Sequence, residues 1–185
     1  MISAPSGGGK TSVLKGVFAC NDARFVYSIS ATTREPRTGE LDGKDYFFLA
    51  WEDFQEKIEN GEFLEWAVVH GKYYGTLEAQ VQKLIDAGKI VFLDIDVQGG
   101  LQIKEKCGDD ALLIFIQPPS REILEERLRG RKTETDAQIE KRLSAIDFEL
   151  GHADSYDQSV VNDDLEKATR EVVEIVNQYH EKIQN

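Results

Sequence analysis

Apolar residues recur along the chain at two different periods, and the switches between them lay out its elements. Val13, Leu14, Val17 and Phe18 fall at helical spacing between Lys10 and Cys20, directly after a glycine-rich turn. Phe25 to Ile29 then reads as a strand. The runs Ile90 to Ile95 and Leu112 to Ile116 are short, largely apolar and rich in β-branched residues, the pattern of strands covered on both faces. Between and beyond them lie helical patterns: Leu77 to Ala87 closed by Gly88, Ser120 to Arg129 opened by a serine cap, and a final helix from Leu165 to Ile183. In that last helix Leu165, Ala168, Val172, Val176 and Tyr179 share one face. Strands and helices in alternation predict an α/β fold built on a parallel sheet.

Two stretches break the alternation. From about Ser30 to Thr76 the chain carries Tyr46 to Leu49, a short helix around Phe54 to Ile58 ended by Gly61, and a strand from Phe63 to Val69, which together read as a small β-rich insertion. From Arg127 to about Arg142 it is polar and rich in arginine, resuming as a helix at Thr135, where Thr135-x-x-Gln138 makes a capping box. That second stretch predicts a charged cover.

Composition narrows the choices. At 185 residues, 41% hydrophobic and 30% charged, the chain has room for one domain with inserted subdomains and can build a core. The longest apolar run, Ala111 to Ile116, is far short of the roughly 18 to 20 residues a bilayer span needs, so no membrane partner is expected. The opening residues lack the apolar stretch of a secretory signal, which predicts a cytoplasmic protein. With 22 Lys+Arg against 34 Asp+Glu the net charge is -12, so nucleic acid is not an expected partner unless basic residues gather locally. They do gather: of nine arginines, Arg34 and Arg37 lie in the insertion, and Arg121, Arg127, Arg129, Arg131 and Arg142 lie in or near the cover. Cys20 and Cys107 are too few and too isolated for a disulfide framework or zinc site, and read as small buried hydrophobes.

Ala4-Pro5-Ser6-Gly7-Gly8-Gly9-Lys10-Thr11 matches the P-loop pattern G-x-x-x-x-G-K-[ST] except at its first position, where Ala4 stands for glycine. Glycines let the backbone curl so that several N–H groups face phosphate oxygens, and the helix starting near Lys10 adds its positive end. Lys10 can reach the β- and γ-phosphates, and the Thr11 hydroxyl can ligate Mg²⁺; the ATP-binding set then runs from Ala4 through Ser12. Ala4 demands a negative φ, as a residue leaving a strand has. Only Met1 to Ser3 precede the loop, so the first strand is either a stub or begins upstream. A GTPase would carry an Asn-Lys-x-Asp motif, and Asn162-Asp163-Asp164 lacks the lysine. Asp94, at the end of a strand, is placed to hold Mg²⁺ through water.

Further motifs follow. Ser30-Ala31-Thr32-Thr33-Arg34-Glu35-Pro36-Arg37-Thr38-Gly39-Glu40 is succeeded by Gly43-Lys44-Asp45-Tyr46-x-Phe48, Glu65-Trp66-Ala67 and Tyr73-Tyr74-Gly75-Thr76. Then come Leu93-Asp94-Ile95-Asp96-Val97-Gln98-Gly99 and Arg129-Gly130-Arg131-x-Thr133-Glu134-Thr135. With the P-loop, this set closely resembles the guanylate kinases over Ser3 to at least Arg142. The resemblance implies an enzyme that converts ATP and GMP to ADP and GDP on a P-loop NTPase fold, with a five-stranded parallel sheet flanked by helices. It also implies a core of residues 1–29, 77–120 and 147–185, a GMP-binding subdomain of 30–76 and a helical lid of 121–146.

The residue chemistry agrees with that resemblance. Guanine presents N1–H and N2–H₂ as donors, which the Glu65 carboxylate can accept; Ser30 and Thr76 hydroxyls can donate to O6, and Asp96 can accept at the amino edge. Arg34 and Arg37 can grip the GMP phosphate, with the Tyr46 and Tyr74 hydroxyls completing its shell. The resemblance assigns Arg131 and Arg142 to the transferring phosphates and Arg127 to the donor nucleotide. The expected catalytic set is therefore Lys10, Arg37, Arg131 and Arg142. His70, His152 and His180 have no partner pattern. Two other readings compete: an inactive guanylate-kinase-like interaction module, and a P-loop kinase for another small acceptor, which would share Lys10 but have no use for Glu65, Ser30 and Thr76. Oligomeric state is not legible.

Overall fold

The first strand, β1 (Ile2–Ser3), is buried and is held by parallel pairing. The computed structural model describes residues 1–69, 71–129, 143 and 146–184. Within them the chain divides into two units that interleave in sequence. One comprises Met1–Asp22, Ile95–Val97 and Leu112–Asn185; the other comprises Ala23–Asp94 and Gln98–Ala111.

In the first unit β1 lies parallel to β8 (Ile114–Gln117), Ile2 opposite Ile114, and β8 lies parallel to β9 (Gln158–Val161), Ile114 opposite Gln158. Ile114, Phe115 and Ile116 of the central strand are fully buried, as an unbroken apolar run requires. The helix α1 (Lys10–Ala19) buries Val13, Leu14 and Val17, and the final helix α6 (Leu165–Gln184) buries Ala168, Val172 and Val176 at four-residue spacing. Leu165, expected on that buried face, is instead exposed. The two helices pack closely at Gly16, where an added Cβ would sit 2.6 Å from the Thr169 hydroxyl oxygen. The helix α5 (Arg121–Arg129) starts as read, with Ser120 Oγ accepting the Ile123 N–H at 3.3 Å.

The second unit holds β2 (Phe25–Tyr27) parallel to β7 (Ile90–Phe92), together with a separate four-stranded sheet. In that sheet β3 (Ala31–Thr32) runs parallel to β4 (Phe47–Phe48) and antiparallel to β6 (Lys72–Leu77), which pairs antiparallel with β5 (Phe63–Val69). The strand order is therefore β4, β3, β6, β5. A bulge between Phe63 and Glu65 shifts the β5 register. Phe54 of α2 (Trp51–Glu59) stacks on Phe63 with ring centroids 4.4 Å apart and, with Ala31, forms the buried centre of this β-rich part. The helices α3 (Glu78–Asp86) and α4 (Val97–Cys107) complete the chain order, Val97 itself belonging to the first unit.

In place of the expected single five-stranded parallel sheet, the all-parallel strands occur as a sheet of three and a sheet of two, and β3 and β4 form a further parallel pair within the mixed sheet. The apolar run Ile90 to Ile95 forms a strand only as far as Phe92. Cys20 is exposed and Cys107 half-buried, against the expectation of two core thiols: Cys20 caps α1 beyond its buried face, and Cys107 closes α4. The capping box at Thr135 and most of the expected lid lie outside the described residues. Among the described residues no helix is long and apolar enough to cross a membrane.

Candidate functional site

In the first unit the loop after β1 is shaped by glycine where side chains cannot go. Gly7 and Gly9 have φ of 86° and 94°, and Gly9 caps α1 in the left-handed region. Ala4 keeps a negative φ, since Asn21 is the one non-glycine with positive φ among the described residues. The Gly8 N–H closes a turn on the Pro5 carbonyl at 2.8 Å. From the far end of β9, Asn162 donates its Nδ2–H to the Gly8 carbonyl at 3.0 Å while its own N–H donates to the Gln117 carbonyl at 2.8 Å. A Cβ on Gly9 would lie 2.1 Å from Asn162 Nδ2, so only glycine fits there.

This loop walls a cleft of about 670 Å³ whose lining includes Ala4, Pro5, Ser6, Gly7, Gly9, Lys10, Thr11 and Ser12. Asp96, Glu149, Asn162, Asp163 and Leu165 complete the lining. Lys10 Nζ donates to the Ile95 carbonyl at 2.9 Å, and Ser3 Oγ donates to the same carbonyl at 2.9 Å, which fixes the strand end beneath the lysine. A helix N-terminus, a curled glycine backbone and one ammonium are the ingredients of an anion site.

In the second unit Glu65 sits on β5 with a residue exposure of 6%, and its Oε1 accepts the Thr76 hydroxyl at 2.6 Å across the sheet. A hydroxyl has one proton, so here Thr76 orients the carboxylate rather than donating elsewhere. Gly99 of α4 makes room for the same carboxylate: its Cβ would meet Glu65 Oε2 at 2.8 Å. On the β3 side, Arg34 forks onto Glu40 with two bonds of 2.9 Å, and Glu40 Oε2 also accepts the Arg37 N–H at 2.7 Å. The Arg34 guanidinium and the Arg37 N–H hold the Glu40 carboxyl below its ordinary range. The Arg34 guanidinium lies 5.2 Å from the centre of the Tyr46 ring, which meets the Tyr74 ring edge-on at 6.1 Å. Seven of the eight expected GMP residues, Ser30, Arg34, Arg37, Tyr46, Glu65, Tyr74 and Thr76, therefore fall in this unit. The eighth, Asp96, belongs to the first and lines its cleft.

Asp94 accepts the Tyr27 hydroxyl on Oδ2 at 2.7 Å, and burial together with that bond pushes the Tyr27 phenol up. The oxygen donors read for a metal, the Thr11 hydroxyl and the Asp94 carboxylate, suit Mg²⁺, which keeps several waters and needs few protein ligands. Among the described residues no cluster of three or more His, Cys, Asp or Glu forms a cage, which this water-rich coordination does not need. Arg131, Arg142, His70 and the side chain of Arg127 lie outside the described residues. Three contributors were not read from the sequence: Asn162, which appeared there only as part of a motif lacking its lysine, Glu149, and Gly99 as the seat of Glu65. A polar Asn closing a strand opposite a glycine loop was the available signal for the first.

A family model described as guanylate kinase matches residues 1–179. A guanylate kinase of Onion yellows phytoplasma (strain OY-M) is 44% identical over 182 residues, 98% of this chain and 86% of that protein. One from Bacillus anthracis is 48% identical over 176 residues, 95% of this chain and 85% of that protein. Among solved structures, the guanylate kinase from Anaplasma phagocytophilum superposes with a TM-score of 0.73 at 33% identity, covering 96% of this chain and 82% of its own.

Proposed function

The chain belongs to the guanylate kinase family, and from that premise we propose how its residues share the transfer of a phosphoryl group from ATP to GMP, giving ADP and GDP. A loose phosphoryl-transfer transition state leaves little covalent work for a side chain, so positioning and charge do most of it. The loop from Ala4 to Ser12 takes the ATP phosphates, and the Lys10 ammonium exchanges the Ile95 carbonyl for phosphate oxygens. Thr11 and, through water, Asp94 would hold Mg²⁺, which when bound neutralises charge on the transferring group. Arg127 serves the donor nucleotide, and Arg131 and Arg142 act with Lys10 and Arg37 on the transferring phosphates.

On the acceptor side Arg34, Arg37, Tyr46 and Tyr74 bind the GMP phosphate, Ser30 donates to guanine O6 and Asp96 accepts at the amino edge. Glu65 reads the two guanine donors. A carboxylate has lone pairs enough to take the Thr76 hydroxyl and guanine together. The buried, hydroxyl-oriented Glu65 is the observation that carries this reading, because a kinase for adenine or a non-base acceptor gains nothing from it. Adenine would leave these groups buried and unpaired. The functional division into a core of 1–29, 77–120 and 147–185, a GMP subdomain of 30–76 and a lid of 121–146 belongs to the same proposal. So do the five-stranded parallel sheet that the family resemblance implies and a cytoplasmic location.

A coupled assay offering ATP with GMP, AMP, CMP or a sugar acid tests it. Turnover is expected with GMP alone; comparable turnover of AMP or CMP would overturn the role of Glu65, and no turnover at all would restore the inactive-module reading.

A further inference from the structure

Glu149 lies in the helical run 146–151 of the first unit and lines the same cleft as the phosphate loop. Its Oε2 accepts the Ser6 N–H at 3.1 Å. A carboxylate has therefore been brought onto a backbone donor of the loop, inside a cleft built for anions. Partial burial pushes its carboxyl above the ordinary range; Asp96 adds to this, while the Ser6 N–H and Lys10 oppose it. The Tyr156 phenol, itself pushed up to about 12 by burial, also feels its charge. The charged neighbours on its own segment are turned elsewhere: Asp147 pairs with Arg121 at 3.0 Å, and His152 Nδ1 rests on the Phe148 carbonyl at 2.8 Å.

With the loop taken as the donor-phosphate site, we propose that Glu149 is an internal competitor for the donor's phosphates: its carboxylate holds the loop until a polyphosphate displaces it, and so sets how tightly nucleoside di- and triphosphates bind. A brace for the loop would need only an acceptor atom at this place, which a glutamine amide supplies equally well. The negative charge is the extra element, and its effect on an incoming phosphate is repulsive at any distance within the cleft.

Calorimetric titration of ADP, without GMP, into the wild type and Glu149→Gln tests this. Because the amide keeps an acceptor for Ser6 and removes the charge, the dissociation constant is expected to fall about three- to tenfold near pH 8, with GMP binding unchanged. Protonation of Glu149 removes the same charge, so as pH falls through the carboxyl's range, which burial has moved above the ordinary one, wild-type affinity should rise more steeply than that of the variant. The titration of ADP itself appears in both curves and cancels in the comparison. Unchanged or weaker ADP binding in Glu149→Gln, or parallel pH curves, would overturn the proposal. Should the variant fold poorly, Glu149→Ala measured at the same pH values decides by the same criteria. Lys10→Ala separates this from the donor-site reading: if that variant binds ADP as the wild type does, the loop is not the donor site, whatever Glu149 does.

Discussion

Gly99 has no side chain because the Glu65 carboxylate already fills the space, 2.8 Å from where a Cβ would stand. Gly99→Ala should push that carboxylate off the Thr76 hydroxyl and cost roughly 1 to 3 kcal/mol of guanine recognition. The expected result is a GMP KM raised about tenfold or more with the ATP KM near wild type; an unmoved GMP KM would mean that Glu65 does not read the base. Asn162→Ala should do the converse. It strips the Gly8 carbonyl of its buried donor, raising the ATP KM while sparing that of GMP, as steady-state kinetics would report. Lys10, Thr11, Arg34, Arg37 and Glu65 can be singled out in the sequence as candidates because each belongs to a short motif. Asn162 and Glu149 were not, because each meets the loop across more than a hundred residues of chain, and spacing carries no trace of such a meeting.

Elements show the same division between local pattern and distant contact. The strand Phe63–Val69 matches its reading, and α1 and α6 match within a residue or two: α6 has a strong apolar period, while α1 is marked by the glycine turn that precedes it. The helix α4 was missed because Gly99-Gly100 near its start reads as a turn, and β9 because its burial shows no continuous apolar run. Yet α4 secures the edge strand β5. Its Gln102 accepts the Trp66 N–H and donates to the Trp66 carbonyl, both at 3.1 Å, as a neighbouring strand would. Its Lys106 donates to the Phe63 carbonyl at 3.0 Å and pairs with Glu78 at 2.6 Å. Gln102→Ala would bare both backbone groups beside the exposed Trp66, Val68 and Val69. Such an edge is a template for pairing with another chain. Light scattering should then show concentration-dependent association absent from the wild type, and a variant that stays as dispersed as the parent would refute the shielding role.

For the whole molecule, the puzzle is a chain of net charge -12 that must take up two polyanions. The α/β class and the concentration of arginine were legible from composition and pattern; what holds those arginines was not. Arg34 illustrates the arrangement, its guanidinium already gripped by Glu40. Since the folded pKa of Glu40 is depressed, its stabilising effect is present above its unfolded pKa and lost as pH falls through the folded value. Thermal melts should therefore lose part of their acid sensitivity in Glu40→Gln. With Arg34 taken as a ligand of the GMP phosphate, as proposed, that phosphate takes a cation that Glu40 gives up, so binding would be ion exchange rather than the capture of an ion by a bare charge. Few counterions are released in an exchange, and the dependence of GMP affinity on ionic strength should accordingly be shallow. Removing the resident anion in Glu40→Gln should steepen that dependence, leaving a site that binds GMP more tightly in dilute buffer and surrenders the gain as salt is added.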